Sequence, residues 1–424
     1  MRVLIVNTSE KTGGAAVAAH RLMEALNNHG VKAKMLVRDK QTDNLSVVGL
    51  PKSPLLRWHF LWERFVVFCH LHFSRKHLFE IDIANVGTDI TRLPEFKEAD
   101  IIHLHWINQG MLSLKDIRKI LRSGKPVVWT MHDIWPATAI CHLTLGCKSF
   151  KTTCRQCQLL PGHGSNGDIS ARVWRRKQQM LQNEDVLFVA CSKWLANEAK
   201  ASALLQGQKV TNIPNPIDTR VFYVKDRTEA RRALGLPEGQ KLILFASQRV
   251  TNRNKGMNYL IEACNLLVEH HSEFSDELGV VVLGSHADEV VEQLPFKAYP
   301  LGYVSDTATI LNVYNAVDVF VLPSLSENLP NTIMEAMACG VPSVGFNVGG
   351  IPEEIDHKKN GYVAAYRDGR DLTRGIEWVL CEADAVELQH QCLRKVAQNY
   401  SQSAVALRYV EVYNQALAMK HYKL

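Results

Sequence analysis

No stretch of this chain approaches 18 uncharged apolar residues, so no segment is expected to cross a membrane as a helix. Glycine (25) and proline (15) are too sparse in 424 residues for a collagenous, low-complexity or wholly disordered chain. Charge of one sign is scarce as well. With 49 Lys plus Arg against 43 Asp plus Glu, the formal charge is +6, well short of a dedicated nucleic-acid binder, and no nucleic-acid partner is expected. The opening MRVLIVNTSEK has one Arg and a short apolar run that is no signal h-region, which points to cytosolic residence. Ten cysteines fit that compartment as free thiols or metal ligands rather than disulfides.

What is present has globular proportions: 46% hydrophobic, 22% charged and 8% aromatic residues. At roughly 150 residues per domain the length allows two to three domains. Short apolar runs alternate with amphipathic stretches, the βα rhythm of parallel sheets covered on both faces, so the fold class is α/β. Strands are expected at 3–6, 34–37, 101–105, 127–131 and 187–190, with helices such as 15–28 and 114–123 between them. The span 212–239 holds Pro214, Pro216 and Pro237 among many charges and reads as a linker followed by a short helix. Beyond it, strands are expected at 242–246, 280–283, 317–322 and 342–346, with helices near 257–269 and 331–338. The stretch 372–420 has helical periodicity and could return to the first half. Two such halves suggest a ligand cleft between them, beyond the strand C-termini.

Phosphate-binding signals come next. Strand 3–6 leads into Gly13-Gly14 and then a helix, so bare backbone N–H groups could approach an anion; a loop that merely needs positive φ is the alternative. No GxxxxGK[ST] loop occurs, and the GxGxxG spacing at Gly162, Gly164 and Gly167 follows a cysteine cluster rather than a strand. Arg249 ends the strand LILFASQR, and Lys255-Gly256 follows before a helix. A guanidinium fork and an ammonium at a strand's C-terminal edge suit a diphosphate, against the alternative of a solvated basic turn. The strongest signal is SENLPNTIMEAMACGVPSVGFNVGGIPE. Pro330 marks entry to a helix near Asn331, leaving Glu327 on the loop and Glu335 within the helix. That helix would turn the N–H groups of Asn331 and Thr332 toward phosphate, and a carboxylate one turn on can accept two ribose hydroxyls.

Together the segment from Glu327 to Glu335, Arg249 with Lys255-Gly256, the turn Asn215-Pro216-Ile217-Asp218 and Gly13-Gly14 resemble the retaining glycosyltransferases of family four. HDIWPATAICHLTLGCKSFKTTCRQCQLLP resembles the colanic-acid and capsule-type bacterial members. The resemblance implies a GT-B fold: an N-terminal Rossmann-like acceptor-side domain over 1–213, to which a helix at about 400–424 returns, and a nucleotide-sugar-binding domain over 214–399. It implies that Arg249 and Lys255 hold the diphosphate, that Glu335 holds the ribose, and that Glu327 faces the donor sugar. Gly13, Gly14 and the loop Asn328, Leu329, Pro330, Asn331 and Thr332 would add donor contacts, mostly through backbone. His132 would sit at the reacting centre, with Asp133 and His105 on the acceptor side. No Asp-x-Asp pair occurs, so no catalytic metal is expected and the two cations would take its role. The implied partners are a nucleoside-diphosphate sugar and a saccharide acceptor, lipid-linked, in cell-surface polysaccharide assembly. A nucleotide-sugar epimerase and a catalytically silent nucleotide-sugar-binding subunit are the alternatives.

Two segments need their own reading. Cys141, Cys147, Cys154 and Cys157 form C-x5-C-x6-C-x2-C in a loop of little apolar periodicity, candidates for structural zinc with His142 as a spare ligand, or else free thiols. Residues 55–79 mix Trp58, Phe60, Trp62, Phe65, Phe68 and Phe73 with Arg57, Arg64, Arg75 and Lys76. That mixture suits either a helix lying peripherally on the cytoplasmic face of the inner membrane or a hairpin buried between domains. His103 and His105 alternate with apolar residues on a strand, and at least one is expected to be a satisfied core residue.

Overall fold

The β-branched and aliphatic runs of the sequence form thirteen strands among the described residues, which in the computed structural model are 1–271 and 274–421. They divide between two compact units, 1–216 with 405–424, and 217–404. The first unit contains β1 (Arg2–Ser9), β2 (Lys32–Asp39), β3 (Val47–Gly49), β4 (Ile101–Leu104), β5 (Val127–Met131), β6 (Val186–Ala190) and β7 (Lys209–Asn212). They form one parallel sheet in the order β3-β2-β1-β4-β5-β6-β7. The second unit contains β8 (Lys241–Arg249), β9 (Leu278–Ser285), β10 (Lys297–Gly302), β11 (Val319–Leu322), β12 (Ser343–Phe346) and β13 (Gly361–Ala364). Its parallel order is β10-β9-β8-β11-β12-β13. Both are doubly wound α/β sheets.

The central strands are the apolar runs of the sequence, buried on both faces, as in VLIV of β1 and VVWTM of β5. The strands not expected from sequence are β3, β7, β10 and β13, and three of them are mostly half-buried. All four lie at sheet edges, where short, half-polar strands carry no apolar signature. The proline-rich span 212–239 contains the boundary between the units at 216/217 and, as expected, a short helix, Arg227–Leu234, whose Arg231 is buried with its guanidinium on Asp318 (2.9 Å) and on the Ala316 carbonyl (2.8 Å).

The carboxy-terminal helical stretch is three helices, Gly369–Glu377, Ala385–Asn399 and Gln402–His421. Val405, Ala406, Tyr409, Val412, Tyr413 and Ala416 of the last pack against Val3, Ile5, Leu22 and Leu26 in the first unit's core. Of the helix expected over about 400–424, residues 422–424 lie outside the described residues.

The aromatic segment forms a helix over Pro54–His70 that buries only one side, through Glu63, Arg64 and Val67. Arg64 donates to the carbonyls of Leu78 (2.6 Å) and Ile81 (2.9 Å) and to Asp82 (3.2 Å). Burial and the neighbouring Asp82 charge hold the Glu63 carboxyl well above its usual range, so it stays protonated beside an ionised Asp82. The opposite side of this helix leaves Trp58 63%, Trp62 50% and Phe65 53% exposed. Among the described residues no helix is long and apolar enough to cross a membrane.

Candidate functional site

In the second sheet the chain order reverses between β8 and β11, so the loops leaving their C-terminal ends diverge and open a crevice. Arg249 ends β8 and Lys255 lies in the loop that follows. The loop after β11 carries Glu327 and leads, through Pro330, into the helix Asn331–Ala338. Two glycines let these loops close on each other. Gly256 has φ +73°, and a Cβ there would stand 1.9 Å from the Pro323 carbonyl oxygen. Gly349 has φ +58°, and its Cβ would fall 1.7 Å from the Glu327 carbonyl oxygen. Backbone and side-chain hydrogen bonds stitch the contact: Leu325 N donates to Asn254 O (2.8 Å), Asn254 Nδ2 to Ser326 O (2.9 Å), and Tyr366 Oη to Leu325 O (3.0 Å).

Here the Lys255 ammonium pairs with the Glu327 carboxylate. Arg249 is exposed, and its Nε donates to Thr251 Oγ1 at 3.0 Å. Asn331–Ala338 starts without a side-chain cap, Pro330 having none to offer. Glu335, one turn in, accepts from Tyr314 Oη at 2.9 Å. Asn328, Asn331 and Thr332 are half-buried, whereas Leu329 and Pro330 are buried and can offer a ligand only their backbone. Sequence reasoning missed Glu354, sealed at 0% exposure with no partner for either oxygen among the described residues. Burial and the charges of Glu327 and Glu353 hold its carboxyl well above the usual range. Its only sequence signal is its place in GGIPEE.

The first sheet reverses between β1 and β4. After β1, Glu10 accepts from the backbone of Gln41 (2.6 Å) and Thr42 (2.9 Å), and Gly13, at φ +91°, opens the uncapped helix Gly14–Asn28. After β4 and β5 stand the histidines. His103 is a satisfied core residue, bonded to Tyr413 Oη (2.7 Å) and Thr130 Oγ1 (2.8 Å), and Thr130 in turn meets Tyr409 Oη (2.9 Å). His105 is buried with Nδ1 on His132 Nε2 at 2.9 Å and Nε2 sealed without a partner, so it cannot reach an acceptor directly. His132 Nδ1 turns to Cys191 Sγ at 3.6 Å. Both its ring nitrogens therefore meet protein. Asp133 is likewise saturated: Oδ1 accepts from Trp135 N (2.8 Å), and Oδ2 from Trp106 Nε1 (2.9 Å) and His142 Nδ1 (2.8 Å).

Burial pushes the His103 imidazole down to about 3 and His132 to about 4. Neither takes a proton in the folded chain until the pH is far below the free value of about 6.5. Between those limits the unfolded chain binds more protons, so stability falls as the pH drops from about 6.5 toward 4. The urea midpoint should decline across that window, and decline less in His103→Gln.

The zinc site expected from the cysteine spacing is not formed. Among the described residues no group of three or more His, Cys, Asp or Glu is placed to hold a metal ion. Cys141, Cys147, Cys154 and Cys157 instead line one small apolar cavity with Ala139, Ile140 and Leu159. Desolvation there pushes the thiols of Cys141 and Cys154 up to about 12. Lys177 lies buried beside this loop, its ammonium on the carbonyls of Trp135 (2.6 Å) and Thr138 (3.0 Å), and burial brings it down to about 7. The GxGxxG match is turn geometry: a Cβ on Gly164 would lie 2.2 Å from Asp168 Oδ2, and Asp168 caps the helix Ile169–Leu181.

Gly349→Ala should cost about 1–3 kcal/mol and weaken any ligand of the second unit's crevice, because it forces a strained φ and drives Glu327 away. Chemical denaturation and ligand titration of the variant check both effects.

Comparison with known proteins gives the family and the fold. Residues 12–221 match the family model described as Glycosyltransferase Family 4, and residues 240–382 the one described as Glycosyl transferases group 1. The chain is 26% identical to an uncharacterized glycosyltransferase of Methanocaldococcus jannaschii, over 80% of this chain and 90% of that protein. It is 24% identical to a D-inositol 3-phosphate glycosyltransferase of Thermobispora bispora, over 76% of this chain and 72% of that one. Two further proteins of that name are matched over about half their length. Sucrose-phosphate synthase of Thermosynechococcus elongatus superposes with a TM-score of 0.67 at 18% identity, covering 99% of each chain. HepE of Anabaena, in complex with UDP-glucose, does so with 0.62 at 17% identity, covering 98% of this chain and 100% of its own.

Proposed function

Because the chain belongs to glycosyltransferase family four and has the GT-B fold of two parallel-sheet α/β domains, we propose that it is a retaining, metal-independent transferase. Its donor is a nucleoside-diphosphate sugar and its acceptor a lipid-linked saccharide in cell-surface polysaccharide assembly. The observation that carries the donor half is the crevice between β8 and β11, where Lys255, Arg249, Glu327 and an uncapped helix N-terminus gather at a chain reversal. HepE, of the same fold, binds UDP-glucose, which supports a uridine donor.

In this reading Lys255 leaves Glu327 for the diphosphate, and Arg249 forks onto the same oxygens. The backbone of 328–332 holds phosphate and sugar, Glu335 takes the ribose hydroxyls, and the freed Glu327 faces the donor sugar. Gly13 and Gly14 add backbone contacts. The acceptor oxygen bonds to the anomeric carbon on the face the diphosphate leaves, and its proton passes to a donor phosphate oxygen. No protein base is needed, and the two cations stabilise the charge that grows on the leaving group. His132 is proposed at the reacting centre beside the donor sugar, with Asp133 on the acceptor side.

Helix 54–70 supports a lipid-linked acceptor. Between Lys52 and Phe79 the one acidic residue is Glu63, which is buried, while Lys52, Arg57, Arg75 and Lys76 are exposed around Trp58, Trp62 and Phe65. Apolar rings with cations and no exposed acid match an anionic bilayer surface. Flotation with phosphatidylglycerol vesicles should recover the protein, phosphatidylcholine vesicles should recover little, and Trp58→Ser with Trp62→Ser should cut binding at least tenfold. Undiminished binding of the double variant would exclude this helix as the contact.

The test of function is a donor screen of UDP- and GDP-sugars with EDTA, following nucleoside diphosphate release with a membrane lipid extract, with D-inositol 3-phosphate, or with neither. Acceptor-dependent release with the extract, and an α-configured product from an α-donor, is expected. Lys255→Ala and Glu327→Ala should each lower kcat by about 100-fold or more. Donor conversion without acceptor would indicate an epimerase, and binding without turnover a silent subunit.

A further inference from the structure

The residues around β5 carry a second imidazole that the histidine motif does not announce. His142 lies ten residues past His132, in the four-cysteine segment, yet its ring sits on Asp133. Its backbone is pinned on two sides. His142 N donates to Glu80 O (3.2 Å), Ile134 N donates to His142 O (3.3 Å), and Cys141 bridges Ile81. The Asp133 carboxylate that takes His142 Nδ1 is itself fixed by Trp106 and Trp135, so the imidazole has one orientation.

That orientation decides which nitrogen is left over. Nδ1 of His142 is committed to Asp133; Nε2 has no hydrogen-bond partner among the described residues, and it is not among the side-chain nitrogens sealed from solvent. The three other histidines of the cluster differ. His103 spends both nitrogens on Tyr413 and Thr130, His132 spends both on His105 and Cys191, and the spare nitrogen of His105 is sealed. Beside His142 lies the half-buried Trp106, ring centroids 5.7 Å apart and planes inclined by 32°. An aromatic face next to a polar tip matches a sugar or cyclitol, which has an apolar C–H face and a rim of oxygens. Trp106 follows β4 and Asp133 follows β5, so the pair stands at the C-terminal ends of neighbouring parallel strands, where such sheets take ligands.

We infer that His142, not His132, is the imidazole that the first unit presents to the acceptor, hydrogen-bonding one of its hydroxyl or phosphate oxygens through Nε2, with Asp133 as its positioning residue. The inference rests on the transferase reading for the identity of its ligand, and on geometry alone for which imidazole is presented. The saturation of Asp133 is what orients His142.

Two experiments on the full-length protein separate these claims. Diethyl pyrocarbonate acylates an accessible, unprotonated imidazole nitrogen, so at a pH above the titration of His142 peptide mapping should find it modified at least tenfold faster than His103, His105 or His132. Faster modification of His132 overturns the assignment, whether or not any acceptor in the screen turns over. With UDP-glucose saturating, His142→Ala should raise KM at least tenfold for the acceptor that turns over, while the donor KM stays within twofold. D-inositol 3-phosphate and the lipid extract are run as separate arms, so a soluble phosphate and a lipid-linked saccharide are distinguished. Adding Asp133→Asn to His142→Ala should cost less than a further twofold, although Asp133→Asn alone raises the acceptor KM. An unchanged acceptor KM in His142→Ala, or fully additive losses, would overturn the role.

Discussion

The close approach of two loops across the chain reversal of the second sheet is the constraint on which the rest of the chemistry depends. Gly256 lies against the Pro323 carbonyl and Gly349 against that of Glu327, both with positive φ, and neither contact leaves room for a Cβ. Only with both loops drawn together does the ammonium of Lys255 meet the carboxylate of Glu327. The pair gives each charge a partner in a half-buried place, and it puts a cation where a diphosphate would compete for it. The sheet supplies the scaffold and the glycines supply the distance.

The first unit solves a different problem, that of burying many ionisable groups. Glu63 stays protonated so that Asp82 can be ionised beside Arg64, while Asp133 accepts three hydrogen bonds and keeps its charge. Burial disfavours a charged His142, but the Asp133 and Asp82 carboxylates outweigh it and raise its affinity for a proton. Removing one member of such a network leaves the others unpaired, at a cost of about 3–5 kcal/mol for a buried charge. These residues therefore hold helix 54–70, the strand ends and the 133–142 segment in one fixed arrangement.

Much of this was legible in the sequence because it is written in periodicity and spacing. The central strands are buried on both faces and read as apolar runs, and the entry of Asn331–Ala338 reads from Pro330. The edge strands β3, β7, β10 and β13 were not legible, since short half-polar segments borrow their structure from a neighbour. Spacing suggests zinc for the four cysteines, but it does not report the small apolar cavity that they line together. The sequence offers His142 only as a spare metal ligand, because its partner, Asp133, belongs to a different turn. The orientation of an imidazole is a tertiary fact.

Lys255 is proposed as the diphosphate-binding cation of the second unit's crevice. Calorimetric titration of UDP into the protein in the presence of EDTA tests this most directly. Saturable binding without metal, weakened at least tenfold in Lys255→Ala while the variant keeps its native unfolding transition, is the expected result. Binding of equal strength in wild type and Lys255→Ala would contradict it.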